Sequence, residues 1–289
     1  MDPNRTIWTW YEGSWHEGNI MIMGSSDHAT WLGTMVFDGA RGFAGVTPDL
    51  DMHCARVNYS AHVMGLKPTM ETGAIIELGR EGYAKFDADT AVYIRPMYWS
   101  REGGSFTVDP HPDSTAFAMC VEQAAMGSGG GFTLTTTSYE RPTLASNLTN
   151  AKASCLYPNN ARMLREAQEK GFHNAIVCDS LGNVAETATT NIFMVKNGDV
   201  FTPVPNGTFL NGVTRQRVIK LLREAGITVY EGTLTLDDFR VADEIFSTGN
   251  YSKVVPITKF DDHEPGIGPI ATRARELYFE WAHSGTGKR

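Results

Sequence analysis

A run of five residues, Gly127-Ser128-Gly129-Gly130-Gly131, divides the chain in two, and that division most constrains what it can fold into. Its composition predicts a flexible linker. No Gly-Lys-Ser/Thr follows it, so it is a poor match to the phosphate-cradling loop of nucleotide hydrolases. Residues 1–122 then form a smaller N-terminal α/β domain, residues 123–131 the linker, and residues 132–289 a larger C-terminal domain.

In the first part, Ile7-Trp8-Thr9-Trp10-Tyr11 and the segment around Trp15 flank a Glu12-Gly13 turn, as in a hairpin. Leu50, Cys54, Val57, Ala61 and Met64 recur in alternating steps of four and three, which predicts one apolar helix face ending near Gly65. A second helix is expected around 75–83, and strands over 91–99 and 115–121. In the second part a strand opens at Phe132-Thr133-Leu134. Pro158 opens a helix ending at Gly171, and Ala175-Ile176-Val177-Cys178 reads as a strand. The segment 191–202 reads as a hairpin whose Asn197-Gly198 supplies the positive backbone angles of a tight turn. Val218, Leu221, Leu222 and Ala225 stripe a helix stopped by Gly226, and Ile270, Ala274, Leu277 and Trp281 stripe the last one. Hairpins without regular strand–helix alternation favour an α+β fold over a doubly wound sheet.

A chain of 289 residues can bury a sizeable core, and 42% hydrophobic with 20% charged residues excludes a disordered one. A formal charge of -8 with no basic block argues against a general nucleic-acid binder. No apolar run reaches the length of a membrane span, and Met1-Asp2-Pro3-Asn4-Arg5 does not read as a secretory signal. Cys54, Cys120, Cys155 and Cys178 are scattered, with no CxxC pair. They read as buried thiols in a reducing cytoplasm, with neither a disulfide nor a metal site.

Three segments carry chemistry. Lys152 stands in Asn150-Ala151-Lys152-Ala153-Ser154-Cys155-Leu156-Tyr157. A lysine is most often a solvated surface charge, but the small Ala151, Ala153 and Ser154 free this one from a charged face. A lysine that forms a Schiff base must spend part of its cycle as a neutral amine, which partial burial and a nearby cation favour. Tyr157 alone reads as a core aromatic. Glu186 reads as a hairpin surface carboxylate or, among the small uncharged Ala185, Thr187 and Ala188, as part of a site wall. Val213-Thr214, in Asn211-Gly212-Val213-Thr214-Arg215, begin a helix with Thr214 as N-cap. Helix-start N–H groups suit a phosphate dianion, although a capped helix by itself explains the feature.

In order and rough spacing, these segments resemble the active-site half of the fold-type-IV, pyridoxal-phosphate-dependent aminotransferases. The resemblance implies that Lys152 is the Schiff-base lysine and the base that moves the substrate's proton. It implies that Tyr157 hydrogen-bonds the cofactor's phenolic oxygen and that Glu186 keeps the pyridine nitrogen protonated. Val213, Thr214 and Arg56, the last in Asp51-Met52-His53-Cys54-Ala55-Arg56-Val57, would hold the phosphate. Asn250, in Ser247-Thr248-Gly249-Asn250-Tyr251, stands where relatives carry threonine but can still donate to phosphate.

Gly33-Thr34-Met35-Val36-Phe37-Asp38-Gly39-Ala40-Arg41-Gly42-Phe43 and Tyr93-Ile94-Arg95-Pro96 resemble the branched-chain aminotransferase group. There Arg95, with Tyr93 on the same strand face, helps hold a substrate carboxylate. Phe37 and Gly39 line the side-chain pocket, and Arg41 and Tyr251 join the substrate-binding set. Tyr251 is bulkier than the usual residue, and Leu32 departs from the usual tyrosine. Both leave room for a transaminase of (R)-amines lacking the α-carboxylate. A lyase of the aminodeoxychorismate type is a further alternative. The resemblance implies ping-pong exchange between an amino donor and a 2-oxo acid, in a homodimer, without metal, nucleic acid or membrane.

Overall fold

The computed structural model describes residues 5–284; residues 1–4, part of the segment read above as no secretory signal, lie outside it. The chain forms two compact units. The first comprises Met1–Met126, Ala151–Cys155 and Ala282–Arg289, the second Gly127–Asn150 and Leu156–Trp281.

In the first unit the elements are β1 (Ile7–Tyr11), β2 (Ser14–Glu17), α1 (His28–Leu32), β3 (Met35–Phe37), β4 (Ala40–Gly42), α2 (Leu50–Val63), α3 (Thr72–Tyr83), β5 (Val92–Ser100) and β6 (Thr115–Gln123). The sheet runs β2-β1-β6-β5-β3, with β4 also paired to β5, and its pairings are antiparallel. The stripe expected on α2 holds up to its last member: Leu50, Cys54, Val57 and Ala61 are fully buried, with Ile75 of α3 and Val92 and Ile94 of β5, whereas Met64 caps the helix and is half-buried. Covering a large aliphatic side chain of this kind contributes about 1.5–3 kcal/mol.

The second unit contains β7 (Phe132–Thr136), α4 (Tyr157–Glu169), β8 (Asn174–Cys178), β9 (Val184–Thr187), β10 (Asn191–Lys196), β11 (Asp199–Pro203), α5 (Val213–Glu224), β12 (Val229–Gly232), α6 (Leu236–Arg240), β13 (Glu244–Gly249), β14 (Lys253–Phe260) and α7 (Pro269–His283). Its sheet runs β12-β11-β10-β13-β14-β7-β8-β9. The pairs β11–β12, β14–β7 and β7–β8 are parallel and the rest antiparallel. Mixed pairing and short hairpins make the fold α+β. Asn197 and Gly198 turn the β10–β11 hairpin with φ of 52° and 85°.

Several local expectations are corrected. Both ends of the glycine-rich run pack closely: a Cβ at Gly127 would collide with Ser252, and one at Gly131 with Thr258. The last helix is turned from its expected stripe. Ala271, Ala274, Tyr278 and Ala282 are buried, whereas Ile270, Leu277 and Trp281 are only half-buried, and Trp281 lies 3.9 Å from the Arg217 guanidinium. Cys155 is exposed and Cys178 half-buried; only Cys54 and Cys120 are buried, and all four are free. Lys152, expected in the second domain, clusters with the first unit because Ala153 bridges Val36 of β3. Among the described residues no helix is long and apolar enough to cross a membrane, and no group of three His, Cys, Asp or Glu could hold a metal ion.

Candidate active site

In the first unit, Lys152 is held by its backbone. Its N–H donates to Ser60 Oγ (3.1 Å), and its carbonyl accepts from Phe37 N–H (3.1 Å). The side chain is half-buried, with Nζ 5.0 Å from the Phe37 ring centre. A lysine tied on both sides to β3 and α2 presents its amine from a fixed base, as a reacting amine requires.

Next to Phe37, Asp38 is fully buried and tightly bound. It accepts from Arg56 Nε (2.6 Å) and Nη2 (2.9 Å), lies 2.7 Å from His53 Nδ1, and receives Gly39 N–H at 2.7 Å. Burial disfavours its charge, but Arg56 and His53 outweigh burial and hold its carboxyl far below the ordinary 3.8. His53 and Arg56 reach the same carboxylate because residues three apart share a helix face. Asp38 therefore fixes the plane of the Arg56 guanidinium.

On the sheet, Tyr93 and Arg95 alternate with the buried Val92 and Ile94 and share a face. Gly39 lets Tyr93 approach: a Cβ there would collide with the phenol. Arg95 stands 5.4 Å from the Tyr93 ring and donates through Nη2 to Glu122 Oε1 (2.7 Å) and Cys120 Sγ (3.4 Å). Arg41, expected to touch substrate, is 0% exposed and donates to the Ala124 carbonyl. It braces the wall and presents no surface to a ligand. Leu32, at the end of α1, is half-buried.

In the second unit, Tyr157 is the first residue of α4 and is 37% exposed, not a core aromatic. Glu186, in β9, is engaged by Arg141 and Asn191. Arg141 Nη2 lies 3.3 Å from Oε1, and Asn191 Nδ2 donates to Oε2 at 3.2 Å. Arg141 is buried and anchored by the carbonyls of Thr187 (2.7 Å) and Ala188 (2.9 Å) and by Asn160 Oδ1 (2.6 Å). Sequence reading missed it: an arginine in a loop between Glu140 and Pro142 has no periodicity to betray burial.

Asn191 joins this carboxylate to a second feature. Its Oδ1 receives Gly212 N–H (3.1 Å), and Gly212 is the N-cap of α5. The helix begins at Val213, so Thr214 is its second residue and not the expected cap. Val213 and Thr214 are buried, and the N–H groups of a first turn have no intrahelical acceptor. The Thr248 main chain pairs with Asn191 across β10 and β13, and α5 packs against β13. Thr248 Oγ1 and Asn250 Nδ2 are buried with no protein partner. Lys253 Nζ donates to Asn250 Oδ1 (2.8 Å), which leaves Nδ2 as the unused end of that amide. Helix-start amides, a hydroxyl and an amide donor form a set that a phosphate dianion satisfies. Tyr251, beside Asn250, is 57% exposed.

Comparison with known proteins agrees with this chemistry. The family described as amino-transferase class IV matches residues 35–260. The chain is 30% identical over 287 residues to the branched-chain-amino-acid aminotransferase of Pseudomonas aeruginosa, covering 94% of this chain and 91% of that one. It superposes on an aminotransferase from Brucella abortus, whose crystal structure contains the cofactor PLP, with a TM-score of 0.96 and 63% identity. That match covers 97% of this chain and 100% of the other. The Escherichia coli branched-chain amino acid aminotransferase aligns with a TM-score of 0.86 and 27% identity, covering 94% and 93%. The matched family span takes in every group above from Phe37 to Tyr251, and the chain belongs to the class IV aminotransferases.

Proposed function

We propose that this aminotransferase uses pyridoxal phosphate to move an amino group from a branched-chain or related amino acid to a 2-oxo acid by a ping-pong route. The observation that carries the reading is Asn191, whose one amide group binds both the Glu186 carboxylate and the start of α5. A carboxylate for a ring nitrogen and donors for a phosphate are what the two ends of this cofactor need from a protein. The buried, unsatisfied Thr248 Oγ1 and Asn250 Nδ2 fit the phosphate end. The named relatives support the branched-chain substrates.

Bound pyridoxal phosphate supplies an electron sink for the pair released when the substrate's Cα proton leaves. Lys152 takes that proton and returns it. Glu186, beside the Arg141 cation, would keep a proton on the ring nitrogen, and Tyr157 would donate to the phenolic oxygen. In the second unit Val213, Thr214, Thr248 and Asn250 would hold the phosphate; Arg56, which the resemblance also assigns to it, is oriented by Asp38. Tyr93 and Arg95 take the substrate carboxylate, beside Phe37 and Gly39. The free cysteines fit a reducing cytoplasm, and the working form is a homodimer.

The test is amino-group exchange between L-leucine and 2-oxoglutarate by purified, yellow protein. Labelled nitrogen passing to glutamate is the expected result. No transfer from leucine but release of pyruvate from added aminodeoxychorismate, or exchange only with (R)-amines, would replace this reading.

A further inference from the structure

Arg95 lies in an unusual setting for a residue that takes a carboxylate. Cys120 is its direct cross-strand partner and Glu122 that of Tyr93, so all four side chains share one face of the β5–β6 ladder. Glu122 is 5% exposed, and both its oxygens are used: Oε1 accepts from Arg95 Nη2 (2.7 Å) and Oε2 from Arg5 Nε (2.8 Å). Burial works against the Glu122 charge, but the Arg5 hydrogen bond and the Arg95 charge hold its carboxyl below the ordinary range. It is an anion at neutral pH.

A guanidinium has two edges that offer a pair of parallel N–H bonds, Nη1 with Nη2 and Nε with Nη2. Nη2 belongs to both. In this protein Nη2 donates to both Glu122 Oε1 and Cys120 Sγ. Neither edge can then close bidentately on an incoming carboxylate, and that carboxylate also meets the Glu122 charge. Arg5 tempers the effect by sharing Glu122.

Resting on the function proposed above, we propose that Glu122 is a specificity-determining residue: it holds Arg95 to a single-bonded, weakened grip on substrate carboxylate. The enzyme therefore draws its selectivity from the substrate's side chain more than from its carboxylate.

The test measures binding to the holoenzyme by calorimetry, with 4-methylpentanoate as an unreactive carboxylate and 4-methylpentanamide as its neutral counterpart. Glu122→Gln is expected to tighten the acid by about tenfold, the scale of one charge-assisted bond, and to leave the amide unchanged. Arg95→Leu in the same background should abolish the gain. Arg5→Met should move the acid the other way, by about threefold, because Glu122 then pairs with Arg95 alone. Equal acid affinity in the parent and Glu122→Gln, or a gain that survives Arg95→Leu, would overturn the inference. If Glu122→Gln does not fold, unchanged acid affinity in Arg5→Met overturns it. These outcomes leave the function standing wherever the parent binds pyridoxal phosphate and transfers nitrogen from leucine. A parent that does neither overturns both.

Discussion

At the scale of single residues, the proposed chemistry rests on two carboxylates in different settings. Glu186 sits between Arg141 and Asn191. Glu186→Gln is expected to keep the cofactor bound and slow Cα proton removal by about a hundredfold or more, since a neutral amide cannot hold the ring nitrogen protonated. Stopped-flow absorbance of the half-reaction with leucine measures this, and an unchanged rate would make Glu186 a hairpin residue only. Asp38 acts through Arg56. Asp38→Asn leaves a buried cation without its partner and should cost about 3–5 kcal/mol at neutral pH, read by urea titration. Because the folded carboxyl titrates below its ordinary 3.8, its stabilisation is complete above that value and is lost as pH falls further. The gap between parent and variant should therefore narrow below about pH 4; a gap independent of pH would remove Asp38 from the account.

At the scale of elements, what could be read ahead was what local pattern controls. The α2 stripe, the β10–β11 turn and the paired face of Tyr93 and Arg95 follow from periods of 3.6 and 2 and from turn chemistry. Helix caps and packed glycines were less legible, because their causes lie far along the chain. Gly212 caps α5 since Asn191, 21 residues earlier, receives its N–H. A Cβ at Gly212 would collide with Asn191 Oδ1. Gly212→Ala should therefore cost about 1–3 kcal/mol of stability and weaken cofactor affinity as well. Thermal melting with a pyridoxal phosphate titration checks both; a variant that melts lower but binds equally would separate α5 from the phosphate.

At the scale of the whole molecule, the motifs named the chemistry but not the packing that supports it. Lys152, Glu186 and the start of α5 were proposed from the order and spacing of motifs that resemble the family. Arg141, Asp38, His53 and Glu122 were not, because a buried charge looks like a surface charge until its partner is placed by the fold. The same limit hid the clustering of Lys152 with the first unit, since the tie of its neighbour Ala153 to β3 spans more than a hundred residues. A fully buried lysine, Lys253, sits in the second unit and donates to Asn250. The central claim is that Lys152 alone is the reacting amine. Borohydride reduction of the native holoprotein, followed by peptide mapping, should find one pyridoxyl group per chain, on the peptide containing Lys152. Label on Lys253, or on any other lysine in its place, would contradict it.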